Sequence, residues 1–174
     1  MPRKLFSVFA MLIIFFTVYA QQSVTAVLSD EDVTSFISNY ASITSDIDTL
    51  RGEYEEFFSV LDATDEEDNP ATIITKIRAL DPPPEVQAVL KKNGLGDDGF
   101  EKYAVILFGT SILFLNQLLS DQMSQADSEE EKNTYAQIQQ QLTELKGTIH
   151  EDDLVLLSSH QEALLSIMMS DENM

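Results

Sequence analysis

Apolar side chains recur at alternating steps of three and four residues from Val33 through Phe36, Tyr40, Ile43, Ile47, Leu50, Tyr54 and Phe57 to Leu61. That rhythm is the seam of an α-helix, because residues three and four apart stack on one face. Ser29 stands just before it and Asp32 three positions later, the pattern of a capping box, with Asp30, Glu31 and Asp32 where the helix dipole is positive. Within the seam Ser42, Thr44, Ser45 and Thr49 are weak helix formers, and Gly52 costs about 1 kcal/mol relative to alanine. The segment 29–62 is therefore one long helix or two with a bend between 45 and 52.

Shorter amphipathic segments follow. Ile73, Ile74, Ile77 and Leu80 share a face over 71–80, with Asn69 as cap and Pro70 in the first turn. Asp81-Pro82-Pro83-Pro84 imposes an extended elbow. Val86, Val89 and Leu90 then face inward over 85–93, closed by Gly94 in a left-handed conformation and by Leu95 folding back on the helix end. Asp97 is placed to cap the next helix. Further on, Ser128 and Glu131 form a second box, opening a helix with Tyr135, Ile138, Leu142 and Leu145 inward that stops near Gly147. Thr148 with Glu151 predicts a last helix to about Met169, with Leu154, Leu157, Leu164 and Met168 inward and Val155, Leu156, Leu165 and Ile167 broadening the face.

Between these lies Tyr103 to Ser120, which carries no charged side chain. Ala104 to Phe108 are consecutive apolar residues, and five residues pass right round a helix, so this stretch must be surrounded by protein or by lipid. Its length, about 27 Å as a helix, falls short of a hydrocarbon core of ~30 Å. Gly109, Thr110, Ser111, Asn116 and Gln117 lower its hydrophobicity. Its flanks carry the stronger argument. Asp121, Asp127, Glu129, Glu130 and Glu131 precede the first base on the C-terminal side, Lys132, whereas Lys91, Lys92 and Lys102 lie on the other side, the reverse of a stop-transfer span. The expectation is a buried central helix, about 98–126.

The N-terminal twenty residues read as a secretory signal peptide: Arg3 and Lys4, an apolar run from Leu5 to Val18, and small residues at Val18 and Ala20. Cleavage falls between Ala20 and Gln21. Residues 21–28 are polar and small and read as a disordered tether, leaving 29–170 as a single helical domain. The chain has no cysteine, so neither disulfides nor a lipid-modified N-terminal cysteine can hold it, and stability must come from core burial.

Charge narrows the function classes. Thirty acidic residues against ten basic ones give a formal net charge of −20, a field that repels nucleic acid and anionic lipid and favours solubility. With the absence of an Asn-x-Ser/Thr acceptor, the lack of cysteine points to a bacterial periplasm or medium. The succession Leu90-Lys91-Lys92-Asn93-Gly94-Leu95, an Asp-containing turn, then Phe100-Glu101-Lys102-Tyr103-Ala104 resembles the helical corner of small exported bacterial all-helical proteins of uncharacterised function. The resemblance spans Val89 to Ala104 and implies a fold and a compartment, but no chemistry.

Catalytic patterns are absent. His150 and His160 lie about 280° apart on a helix and lack the Glu-x-x-His company of a bundle metal site. No Gly-x-Ser-x-Gly elbow occurs, and Gly94-Leu95-Gly96 lacks the remainder of a nucleotide-binding turn. The acids starting at Asp46, Asp62 or Asp97 do not match a calcium loop, so the acidic segment 62–69 offers no more than a casual cation contact. No cofactor, metal or catalytic residue is expected.

The reading is an all-α protein, an irregular bundle of five to six helices around the central helix, exported and non-enzymatic. It is a binding or interaction module, monomeric or weakly dimeric, taking a protein, peptide or lipid partner and no nucleic acid. Phe36, Tyr40, Tyr54, Phe57 and Phe58 are the candidate apolar groove, since they exceed what one buried seam requires. The alternatives are a periplasmic hydrolase using a carboxylate pair and a protein attached to the membrane through 103–120.

Overall fold

A computed structural model describes residues 24–62, 76–77, 79–126 and 128–170. The signal segment with Ala20 and Gln21, the acidic residues 63–69 and most of the helix expected over 71–80 lie outside them. Seven α-helices are present among the described residues: α1 Asp30–Arg51, α2 Glu55–Asp62, α3 Pro84–Leu90, α4 Gly99–Ser124, α5 Glu129–Lys146, α6 Glu151–Ser159 and α7 Gln161–Ser170. The number exceeds the expected five to six because two of the predicted helices are each divided.

The first division falls at Gly52, Glu53 and Tyr54, so 29–62 is two helices. α1 opens as its sequence requires: the Ser29 hydroxyl accepts the Asp32 N–H and the Asp32 carboxylate accepts the Ser29 N–H, at 2.8 Å. Its seam buries Val33, Phe36, Ile43 and Ile47. Past the turn the register slips, and Phe58 is buried while Phe57 is only partly covered.

The corner after α3 brings the chain hard against α1. Pro84 is the first residue of α3, and the helix widens into a π turn at Lys91–Leu95. Gly94 there has φ 94°, and a Cβ on it would stand 2.9 Å from the Ser35 Cβ, so this position requires both the left-handed backbone and the missing side chain. Leu95 folds back and is fully buried. Asn39 Nδ2 donates to the Asn93 carbonyl at 3.2 Å, fastening the turn to α1. Asp97 does not cap α4 as expected. Its carboxylate pairs with Lys91, and the Phe100 N–H in the first turn finds Gln87 Oε1 at 3.3 Å instead.

α4 is the central helix. It packs on α1, α3, the π turn, α5, α6 and α7, as an all-round apolar segment needs. The collar closes around its first half, where Phe100, Ala104, Val105, Ile106, Gly109, Thr110 and Ile112 are buried. Beyond Ile112 only Leu119 is buried, and Leu113, Phe114, Leu115 and Leu118 are half-covered. Gly109 sets the closest approach: a Cβ there would lie 2.3 Å from Leu157 Cδ1 on α6.

α5 begins with the Ser128 and Glu131 box and ends at Gly147, as its sequence predicts. The next helix starts later than Thr148 indicates, since the Thr148 hydroxyl donates back to the Leu145 carbonyl at 2.7 Å. His150 takes the cap instead, its Nδ1 accepting the Asp152 N–H at 3.1 Å. The final division is at His160, whose N–H closes α6 onto Leu157 and Ser158. Leu157 and Leu164 point inward, but Val155 is 65 % exposed and does not belong to the buried face.

The segment 24–29 is attached at its distal end. Asp153, in the first turn of α6 and fully buried, accepts the N–H of Val27 at 3.1 Å and of Leu28 at 2.9 Å. Leu28 packs against the main core, and Val27 and Leu28 cover a smaller cluster of Val105, Ile112 and Ile149. The ordered chain thus begins before Ser29.

Candidate binding cavity

The five aromatic residues expected to form a groove are largely consumed by the core. Phe36 is fully enclosed, with its ring 5.4 Å from that of Tyr40 and 6.0 Å from that of Tyr103. Phe57 lies 5.2 Å from Phe58 and 5.5 Å from Phe100, the separations of edge-on and tilted aromatic packing. Tyr54 turns away to Glu85 at the start of α3. This hydrogen bond first, then burial, pushes its phenol up to about 12, and it holds the Glu85 carboxyl below its ordinary value.

Of the five, Phe58 lines the cavity at the end of α1. A cavity of about 180 Å³ opens where α1 ends and α2, α3 and α4 meet it. Ile47 and Arg51 contribute from α1, Phe58 from α2 and Val86 from α3, with Ile77 from the short helical piece before the elbow. Phe100, Tyr103, Ala104, Leu107 and Phe108 supply the α4 wall. The break at Gly52 creates this space: an uninterrupted helix would carry Phe58 along the α1 axis rather than back over the end of it. Ala104, small where its neighbours are large, leaves the volume unfilled.

Among the described residues of the lining, Arg51 is the charged one. Its guanidinium carbon sits 5.1 Å above the Phe58 ring centre, a cation–π contact, and its Nε is 3.3 Å from Asp48 Oδ1. Tyr103 adds a phenol whose pKa burial, then Tyr40, raises to about 12, so it stays protonated and can donate. Among the described residues that line the cavity there is no carboxylate or imidazole. The site can hold an apolar body and meet one polar group at its edge.

The other candidate groups serve the fold. His160 Nε2 lies 2.8 Å from Asp30 Oδ1, joining the start of α7 to the start of α1, while His150 caps α6. Among the described residues no cluster of His, Asp or Glu is arranged to hold a metal ion. No sequence pattern announces the cavity, because its wall comes from separated segments. The signals that bear on it, a lone arginine before Gly52 and a lone alanine among large residues at 104, acquire meaning only when those segments meet. Comparison with protein-family models, curated proteins and solved structures finds no match.

Proposed function

We propose that the protein is an exported, non-enzymatic binding module that holds a small, mainly apolar ligand in the cavity between α1, α2, α3 and α4. The observation that carries this reading is the cavity itself: a partly open, mainly apolar space of about 180 Å³ lined in part by Arg51 and Tyr103. An engineered apolar cavity of ~150 Å³ in another protein binds benzene, so the volume suits a ring or a short hydrocarbon chain. Export rests on the basic start, apolar run and small residues of the first twenty positions. A soluble state rests on the flanking charges of 103–120 and on the helices that α4 packs against.

Thermal unfolding with and without 1-octanol tests the binding role. A ligand bound to the native state raises the midpoint in proportion to its occupancy. The midpoint rises for the wild-type chain and much less for Ala104→Leu, whose added carbons fill the space. An equal shift in both, or none in either, overturns the reading. Fractionation and N-terminal sequencing test the rest: a soluble product beginning at Gln21 is expected, and retention in carbonate-washed membranes supports attachment through 103–120 instead.

A further inference from the structure

We propose that Asn93–Gly94 is a latent modification site, inert to deamidation in the folded protein and reactive once the corner after α3 opens, so that the side chain records unfolding and bars the return. The inference is independent of the cavity.

Chemistry is the first argument. Asn93 is the one asparagine in the chain followed by glycine, the neighbour that hinders ring closure least because it has no Cβ. In deamidation the Gly94 amide nitrogen attacks Asn93 Cγ. The N–Cγ bond forms, the Cγ–Nδ2 bond breaks, and Nδ2 leaves as ammonia carrying the Gly94 amide proton. Water then opens the succinimide to aspartate or isoaspartate. Water is the only co-reactant, and asparagine counts among the thermolabile residues.

Geometry is the second. Within the π turn Gly94 is the residue that departs from helical backbone angles, so Asn93 keeps them, and the five-membered ring needs a different turn there. The Asn93 side chain is buried and reaches back along the helix, its Nδ2 donating to the Val89 carbonyl at 2.8 Å. Its own carbonyl accepts Asn39 Nδ2 at 3.2 Å. Attack requires the side chain to leave Val89 and water to enter, which is local unfolding of the corner. Glycine is nevertheless obligatory at 94, given its φ of 94° and the Ser35 side chain 2.9 Å from where a Cβ would stand. The fold thus needs the residue that makes the sequence labile.

Consequence is the third. Deamidation replaces Nδ2 by a carboxylate oxygen, which sets a charge against the Val89 carbonyl oxygen in a buried position. A buried charge without a partner is strongly unfavourable. The isoaspartyl product also inserts a carbon into the main chain beside the Gly94 approach to Ser35. Neither product re-forms the corner, and a chemically altered chain leaves the folding equilibrium.

Incubation of the full chain at pH 8 in buffer and in unfolding urea, followed by mass mapping of the peptide that holds Asn93, is the test. Conversion to the acid should be at least tenfold faster in urea, and faster there than at Asn116 or Asn133. Equal rates in the two conditions, or a rate in urea no greater than at Asn116 and Asn133, overturn the site. After removal of urea, modified chains should lack the cooperative thermal transition that unmodified chains of the same sample regain. Asn93→Asp separates charge from shape. Its melting deficit against the wild type should shrink between pH 7 and pH 4, as the protonated acid donates to Val89 in place of the amide. A deficit unchanged with pH overturns the role of charge. Wild-type melting of Asn93→Asp at pH 7, or recovery of the transition by modified chains, overturns the barrier to refolding.

Discussion

Lys102 Nζ lies 2.7 Å from Asp32 Oδ1, linking the first turn of the central helix to the first turn of α1 across seventy positions of sequence. Both side chains are largely covered, at 19 % and 9 % exposure, and Asp32 also holds the Ser29 amide and hydroxyl. One carboxylate thus caps a helix and fastens it to the core.

Burial alone would raise the Asp32 pKa, but the hydrogen bonds from Lys102 and Ser29, with the lysine charge, outweigh it and hold the carboxyl below its ordinary 3.8. A depressed carboxyl stabilises the fold fully above its unfolded pKa, and that contribution is lost as pH falls through the lower folded value. Stability should therefore decline below about pH 4. Asp32→Asn should cost about 2 kcal/mol at pH 7 and flatten the acid decline. Urea unfolding from pH 2 to pH 7 measures both.

Gly109 should not tolerate alanine. Helix propensity favours the change by about 1 kcal/mol, but the new methyl would lie 2.3 Å from Leu157 Cδ1. Leu157 is fully buried, and overpacking a closed core costs about 1 to 3 kcal/mol. Gly109→Ala should lower the thermal midpoint, and the double variant with Leu157→Val should recover part of the loss.

Thr110 should accept valine. Its side chain is fully buried and its hydroxyl lacks a hydrogen-bond partner. Burying an unpaired hydroxyl costs about 1 to 3 kcal/mol, and valine keeps the shape without it. Thr110→Val should equal or exceed the wild type in denaturant midpoint; a clear loss would mean that the hydroxyl is paired in solution.

The centre of the fold should be felt at Ile106. Leu107 and Leu115, the positions that periodicity offers for a disruptive charge, are half-covered, whereas Ile106 is fully buried. A buried charge costs several kcal/mol against a domain's ~5 to 15 kcal/mol. Ile106→Asp should leave no cooperative thermal transition, and Leu115→Asp should leave a lowered one.

Local features were legible in the sequence, and meetings between distant segments were not. The Ser29 and Ser128 boxes and the Gly94 corner are contained within a few residues, so residue type and spacing suffice to place them. The Thr148 box has the same pattern but fails, because Thr148 bonds the carbonyl of the helix before it and His150 is free to cap in its place. The Phe57 and Phe58 exchange has a similar origin: counting through Gly52 assumes continuous helix, and past the turn Phe58 is the buried residue while Phe57, against Phe100, is only partly covered. As for the site, the aromatic residues near α1 were visible, but the contact of Arg51 over Phe58 depends on two helices folding back at an angle that no periodicity encodes.

Asp153 holds the amides of Val27 and Leu28 from 125 positions or more along the chain. As the chain emerges from its N-terminus, those amides are made long before the carboxylate that receives them. Such non-local contacts form late, because the intervening chain must first be brought together. The molecule is consequently closed like a clasp: the segment leading into α1 cannot be held until α6 is present, and a chain arrested before residue 151 would carry Val27 and Leu28 still unfastened.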